Sequence, residues 1–179
     1  MTENKQYAVL RDVPVPNKKG AFIMDLNTVH HSFAKLEDML HELGIETAYM
    51  EGISGPQIGD TLRILLPVTD EGHPVLTEIM VTEFTDDLDL LHVYSTLIVK
   101  SNEKITELSQ KLSEWNIICP LGAYGIFEQD GERQLFHKYT FPLDSGSSED
   151  FSDVAMLLIE LIHGLLSERY PEFEEYALR

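Results

Sequence analysis

The sequence predicts an α+β fold, with helices packed on an antiparallel sheet, in the order α-β-β-β-α-β-β-α. Three observations support this class. Apolar residues recur at gaps of three and four in three separate segments, which is the period of an amphipathic helix. Between those segments apolar residues alternate with others, as in half-buried strands. Asp130-Gly131 lies between two alternating runs, and this dipeptide is the strongest short-range signal of a β-hairpin.

The first helix is predicted from about Thr28 to Leu43, and Gly44 is suited to ending it. Residues 46–50 could add a short strand. Three strand candidates follow, and their short links imply an antiparallel meander. The apolar helix positions are Val29, Phe33, Leu36, Leu40 and Leu43, and the strands are Leu62–Val68, Val75–Phe84 and Leu90–Val99.

The second helix is predicted to begin at Asn102 and to end at Trp115-Asn116. Its apolar stripe is narrow, which is typical of a helix that packs on one surface. The predicted hairpin follows Pro120. Its strands are Leu121–Glu128 and Arg133–Phe141.

The last helix is predicted to start near Ser148 and to stop before Pro171. Its apolar side chains fill an arc of roughly 200°, whereas a stripe of about 100° is enough for one packed face. The helix should therefore contact two surfaces. Leu157, Ile159 and Leu161 lie at the margins of the arc and are the candidates for a partner or dimer interface.

Three regions are predicted along the chain. Residues 1–26 form an extended N-terminal arm, because Pro14 and Pro16 prevent a continuous helix. Residues 27–170 form a single chaperone-like α+β domain. Residues 171–179 form an acidic aromatic tail, which suits either a short closing helix or a contact surface for a basic partner.

The net charge of −18 disfavours nucleic acid and anionic membrane surfaces, and it favours basic peptide partners. The apolar stretch that includes Met156 to Ile159 is far shorter than the roughly 20 residues of a membrane span. No signal peptide is expected. Cys119 is the single cysteine and should be a small buried hydrophobe, since no cationic side chain near it is evident. A chain without a possible internal disulfide favours the cytoplasm.

His30, Glu37 and His41 project from one side of the first helix and resemble a metal site most closely. However, His30 and Glu37 are about 10 Å apart along the helix axis, too far to share one ion. A solvated helix face explains the set better. The sequence therefore predicts no metal, cofactor or catalytic residue.

A His-x-Tyr pattern occurs on two strands, as His92 with Tyr94 and as His137 with Tyr139. Residues two apart share a face of a strand, so the four rings could converge as a ligand-binding face. The same residues commonly cover the polar side of a half-exposed sheet. If the rings do converge, they suggest a small-molecule sensor or an enzyme.

The segment from Ile105 onward combines a helix ending in Trp115-Asn116, an Asp130-Gly131 hairpin and an acidic-capped apolar helix. This order resembles the YbjN-like family of candidate bacterial sensory transduction regulators. With the upstream helix and meander, the pattern is similar to the fold of type III secretion chaperones. The resemblance covers Thr28 to Arg169 and implies a small, acidic, non-catalytic protein that forms homodimers.

The function expected from these observations is that of a cytoplasmic, non-catalytic chaperone-like or regulatory adaptor that binds a protein partner. The chain should form a homodimer and could bind a basic peptide. The alternative is a small-molecule-binding sensor or enzyme that uses the His/Tyr face.

Overall fold

A computed structural model describes residues 26–52, 60–68, 74–85, 88–99, 105–129, 132–144, 150–174 and 176–177. The predicted class and order are confirmed, and the possible strand at residues 46–50 is present as a short additional strand. Residues 1–25 of the predicted N-terminal arm and the Asp130-Gly131 turn lie outside the described residues, and Leu26, the last residue of that arm, begins the first helix. The elements are α1 (Leu26–Glu42), β1 (Thr47–Met50), β2 (Thr61–Pro67), β3 (Pro74–Thr85), β4 (Leu88–Val99), α2 (Ile105–Ile118), β5 (Ala123–Gln129), β6 (Glu132–Asp144) and α3 (Ser152–Phe173).

The six strands form one antiparallel sheet in the order β1-β2-β3-β4-β6-β5. The first four strands are the predicted meander with β1 added at its edge. The β5–β6 hairpin extends the sheet beyond β4. Its second strand, β6, pairs with β4, so β5 lies at the edge of the sheet. Gln129 pairs with Glu132, so β5 and β6 are paired up to the residues that flank the predicted turn.

The hydrophobic core lies between one face of the sheet and the three described helices. Alternate strand residues such as Leu62, Ile79 and Val93 are fully buried there, because successive side chains of a strand point to opposite faces. Burying one such side chain stabilises the fold by about 1.5–3 kcal/mol. We call the other side of the sheet the open face, since no described helix packs on it.

The first helix buries Val29, Phe33, Leu36 and Leu40, as its period predicts. Leu43, by contrast, is 62% exposed, because the helix ends at Glu42 and the chain turns away. Gly44 has a φ of 74° and follows the helix in the left-handed conformation that favours glycine.

The last helix continues through Pro171 to Phe173, so the predicted end before Pro171 is wrong. The centroids of the Phe173 and Trp115 rings are 4.7 Å apart, and this contact holds the last turn of the helix against the core. Tyr176 and Ala177 are also buried, and Ala177 forms a β-bridge with Val99. Aromatic residues of the predicted tail therefore belong to the core. The predicted start near Ser148 lies outside the described residues.

Asn116 covers part of the outer edge of β5. Its side-chain amide donates a hydrogen bond to the Tyr124 carbonyl oxygen at 2.9 Å and accepts one from the Tyr124 amide at 2.7 Å. The side chain thus takes the place of a neighbouring strand, which protects an edge that could otherwise pair with another chain. None of the described helices is long and apolar enough to span a membrane.

Candidate functional site

The α3 interface candidates separate into an exposed pair and a core residue. Leu157 and Leu161 are 55% and 50% exposed and lie one helical turn apart. Ile159 is 2% exposed and belongs to the core, so its prediction as an interface residue is wrong. The wide apolar arc contacts both the sheet and α1, and these two surfaces cover most of it. Leu157 and Leu161 are left at the surface.

The four rings of the predicted His/Tyr face do not converge. Tyr139 pairs with Val93, and His137 pairs with Ser95, both of which point toward the helices. His92 and Tyr94 occupy the alternate positions of β4 and therefore point to the open face. The register places the two His-x-Tyr pairs on opposite faces, so the predicted four-ring site is wrong.

His92 bridges three strands at the open face. Its Nε2 atom lies 2.8 Å from the Thr82 hydroxyl, and its Nδ1 atom lies 3.0 Å from the Thr140 hydroxyl. A hydroxyl can donate or accept, so both ring nitrogens are satisfied in the neutral imidazole. Burial, and then the positive charge of Lys138, lower the pKa of His92. The ring is therefore a neutral, fixed part of the surface at pH 7.

His92 and Tyr94 lie in a depression of about 570 Å³ on the open face, a volume within the range of small-molecule sites. Strands β3 and β4 supply one part of its walls and the β5–β6 hairpin supplies the other, and α2 separates these two parts in the sequence. The other residues that line it are Glu78, Met80, Thr82, Glu83, Phe127 and Lys138.

The remaining pair, His137 and Tyr139, lies on the helix-covered face. His137 Nε2 donates a hydrogen bond to the Leu121 carbonyl oxygen at 2.7 Å, and burial lowers the pKa of this histidine. The Tyr124 ring packs against it with centroids 4.8 Å apart. Tyr139 is half-buried against the core. Both residues stabilise the fold.

Cys119 lies beside this buried histidine. The thiol is half-buried and donates a hydrogen bond to the Leu121 carbonyl oxygen at 3.1 Å, with His137 Nε2 4.0 Å from the sulfur. The cysteine is thus less buried than the sequence predicted. The same carbonyl oxygen accepts from both side chains, which fixes the turn before β5.

The candidate metal ligands on α1, His30, Glu37 and His41, bind other protein groups. His30 Nε2 lies 2.9 Å from Asp60, whose other oxygen accepts the Gly52 amide at 2.8 Å. The Thr47 hydroxyl donates to Glu37 at 2.9 Å and lies 3.1 Å from His41 Nε2. Among the residues that the structure describes, no group of three or more His, Cys, Asp or Glu side chains is arranged to hold a metal ion. These contacts join α1 to the first strands.

The fold and these surfaces define a class: an α+β protein with one helix-covered sheet face, one open face and an exposed leucine pair. No protein-family model matches the chain, and no curated protein matches it. Among solved structures, the chain is similar to YbjN from E. coli, which is described as a candidate transcription regulator. The identity is 18%, the TM-score is 0.47, and the similarity covers 82% of this chain and 96% of that chain.

Sequence reasoning missed Glu78, Met80, Phe127 and Lys138 as neighbours of His92 and Tyr94. They come from other strands, and their proximity follows from strand order and register. A local signal was nevertheless present. The alternation of β4 already placed His92 and Tyr94 together, and this half of the predicted set is the half that the structure brings together.

Proposed function

We propose that the chain is a non-catalytic adaptor, chaperone-like or regulatory, that binds a protein partner through α3 in the cytoplasm. The observation that supports this proposal is the exposure of Leu157 and Leu161 on α3, a helix whose other leucine and isoleucine side chains are buried or half-buried in the core. Covering what remains exposed of each leucine would contribute on the order of 1 kcal/mol. Relationship to the YbjN-like family is part of the proposal and rests on the sequence pattern.

The charges around the leucine pair favour a basic partner. Asp153, Glu160 and Glu168 are exposed on the same helix, and the whole chain has a net charge of −18. Carboxylates around an apolar centre attract a partner segment that carries lysine or arginine beside apolar residues. Two copies of so acidic a chain repel each other, so salt should strengthen any homodimer. The homodimer is therefore the second candidate occupant of this surface.

A photo-crosslinking amino acid placed at position 161 in the host tests the proposal. The matched control is position 65, because Leu65 is 57% exposed but lies on the open face of β2. We expect crosslinks to a basic protein at position 161 and few at position 65. Replacing Glu160 and Glu168 by glutamine should reduce the crosslinks formed at position 161.

Light scattering at low and high salt tests the dimer separately. A self-associating wild type and a monomeric Leu157→Glu/Leu161→Glu variant would place a second copy on α3. Equal crosslinking at positions 161 and 65, together with a monomer at all salt concentrations, would contradict both forms of the proposal.

A further inference from the structure

The open face of the sheet is large and apolar enough for a protein interface. A strand spacing of about 4.8 Å and a rise of about 3.3 Å per residue give the six strands a face of roughly 800–900 Å². Each partner of a standard-sized interface buries about 800 Å². Met50, Leu65 and Ile98 lie on this face, and each is at least 40% exposed. Exposed apolar side chains on a face of this size are typical of an interaction surface.

The strand register arranges the charges at the centre of the open face in one row across the sheet. The row contains Arg63 on β2, Glu78 on β3, Tyr94 on β4 and Lys138 on β6, each paired directly with the next. It carries two positive charges and one negative charge, although the net charge of the chain is −18. Two copies of this acidic chain can therefore approach each other here without an excess of carboxylates on either side.

The rows on both sides of this charged row carry no charge at pH 7. One row contains Leu65, Leu76, Thr96 and Phe136, and the other contains Thr61, Met80, His92 and Thr140. His92 is neutral, since burial and the positive charge of Lys138 lower its pKa. The Tyr94 ring of the charged row stacks on the Phe136 ring, with centroids 5.1 Å apart and planes at 17°. The charges thus lie within an apolar and neutral surface.

Glu78 and Lys138 are placed symmetrically about Tyr94. Both residues pair with it, from the two strands that neighbour β4. A two-fold axis that runs along β4 above Tyr94 therefore places Glu78 of each copy over Lys138 of the other. Facing sheets lie about 10 Å apart, a gap that a glutamate and a lysine side chain span together. Glu78 Oε1 accepts a hydrogen bond from Arg63 Nε at 2.7 Å, so Oε2 can accept one from the ammonium group.

We propose that the open face binds a second copy of this chain, face to face, in a two-fold symmetric dimer. Two ion pairs between Glu78 and Lys138 then flank the central Tyr94 residues, and Leu76 of each copy packs on Phe136 of the other. Cyclic dimers with such self-complementary contacts are the commonest soluble oligomers. The inference goes beyond the adaptor proposal, because it assigns the second copy to the sheet and leaves α3 free for a different partner.

Analytical ultracentrifugation of the full chain and of two charge variants tests the dimer. We expect the wild type to dimerise with a Kd on the order of 10 μM. Lys138→Glu brings two carboxylates together at each ion pair, and Glu78→Lys brings two ammonium groups together. Each variant alone should therefore dimerise at least about tenfold more weakly. An equimolar mixture of the two variants should associate like the wild type, because every glutamate then faces a lysine.

Lys111→Glu is the matched control. It changes the net charge by as much as Lys138→Glu does, but it lies on α2, which packs on the other side of the sheet. This variant should dimerise like the wild type. Lys138 is exposed, so Lys138→Glu should fold normally, whereas Glu78→Lys places a lysine beside Arg63. Recovery of association in the mixture shows that both variants are folded.

Three results in the ultracentrifuge would overturn the proposal: a monomeric wild type at high micromolar concentration, a Lys138→Glu variant that dimerises like the wild type, or a mixture that does not associate. Photo-crosslinking from position 65 identifies the occupant directly. Crosslinks between two copies support the dimer, whereas crosslinks to a different protein or within one chain would assign the face to that occupant instead.

The two proposals can be refuted separately. The Leu157→Glu/Leu161→Glu variant should remain a dimer, and a monomeric variant would place the second copy on α3 and overturn the open-face dimer. Absence of crosslinks from position 161 would refute the adaptor proposal, and the association of the charge variants would still decide the dimer.

Discussion

Replacing Asp150 by asparagine should destabilise the protein in a pH-dependent way. Asp150 precedes α3 and joins it to α1. Its Oδ2 atom lies 2.9 Å from Lys35 Nζ, and its Oδ1 atom accepts the Ser152 amide at 2.8 Å. Asparagine keeps an oxygen that can accept the amide hydrogen bond, so Asp150→Asn removes mainly the charge.

The magnitude follows from the pKa of this carboxyl group. Burial alone would raise the pKa of Asp150, but the Lys35 ammonium and the Ser152 amide outweigh burial and lower it from 3.8 to about 2. A difference of this size corresponds to at most about 2 kcal/mol of stability. Lys35 is 40% exposed, and solvent screening reduces the expected loss in Asp150→Asn to about 1 to 2 kcal/mol.

The sign of the pH dependence is fixed because the pKa is lower in the folded state than in the unfolded state. The contribution of Asp150 is therefore complete above about pH 5 and is lost as the pH falls through 4 toward 2. Urea unfolding followed by circular dichroism between pH 7 and pH 3 measures it. The free-energy difference between wild type and Asp150→Asn should be largest at pH 7 and should shrink to about half at pH 3.

Asp153→Asn is the matched control. Asp153 also contacts Lys35, at 3.3 Å, but its side chain is 75% exposed. The loss in this variant should be below about 0.5 kcal/mol, since exposed ion pairs contribute little. Equal losses in the two variants, or an Asp150→Asn loss that stays constant from pH 7 to pH 3, would refute the reasoning.

Two further predictions concern the chain before and within β5. Gly122→Ala should cost at least about 2 kcal/mol in urea unfolding, because Gly122 has a φ of 78° and a Cβ atom there would meet the Lys138 carbonyl oxygen and lie 2.9 Å from the His137 ring. Gly164→Ala is its control: Gly164 is helical with open space around it, so alanine should stabilise the protein by about 0.5–1 kcal/mol, and a loss there would contradict this account. Asn116→Ala should accelerate hydrogen exchange of the Tyr124 amide at least about tenfold, since that amide loses its acceptor, and unchanged exchange would show that Asn116 does not protect the edge.

The fold class, the order of the elements and the strand boundaries to within a few residues follow from the pattern of apolar residues along the chain. They do so because a helix with one apolar face and a strand with one apolar face have different periods, 3.6 and 2, and both are visible in a single chain. The same reasoning identified Leu157 and Leu161 as residues at the margin of the apolar arc of α3. An apolar arc wider than one packed face has side chains at its margins that the first packed surface does not cover, and both leucines are exposed.

Which candidate residues lie together depends on how the strands pair and how the helices pack. Alternation places His92 and Tyr94 on one face of β4, and His137 and Tyr139 on one face of β6. Because Tyr139 pairs with Val93, which alternates with His92 and Tyr94, the two histidine–tyrosine pairs lie on opposite faces of the sheet. A shift of one residue in that register would have brought the four rings onto one face. The docking of α3 against α1 and the sheet likewise buried Ile159 and left Leu157 and Leu161 exposed. Periodicity specifies which face of an element is apolar, whereas the contacts between distant segments specify what that face meets.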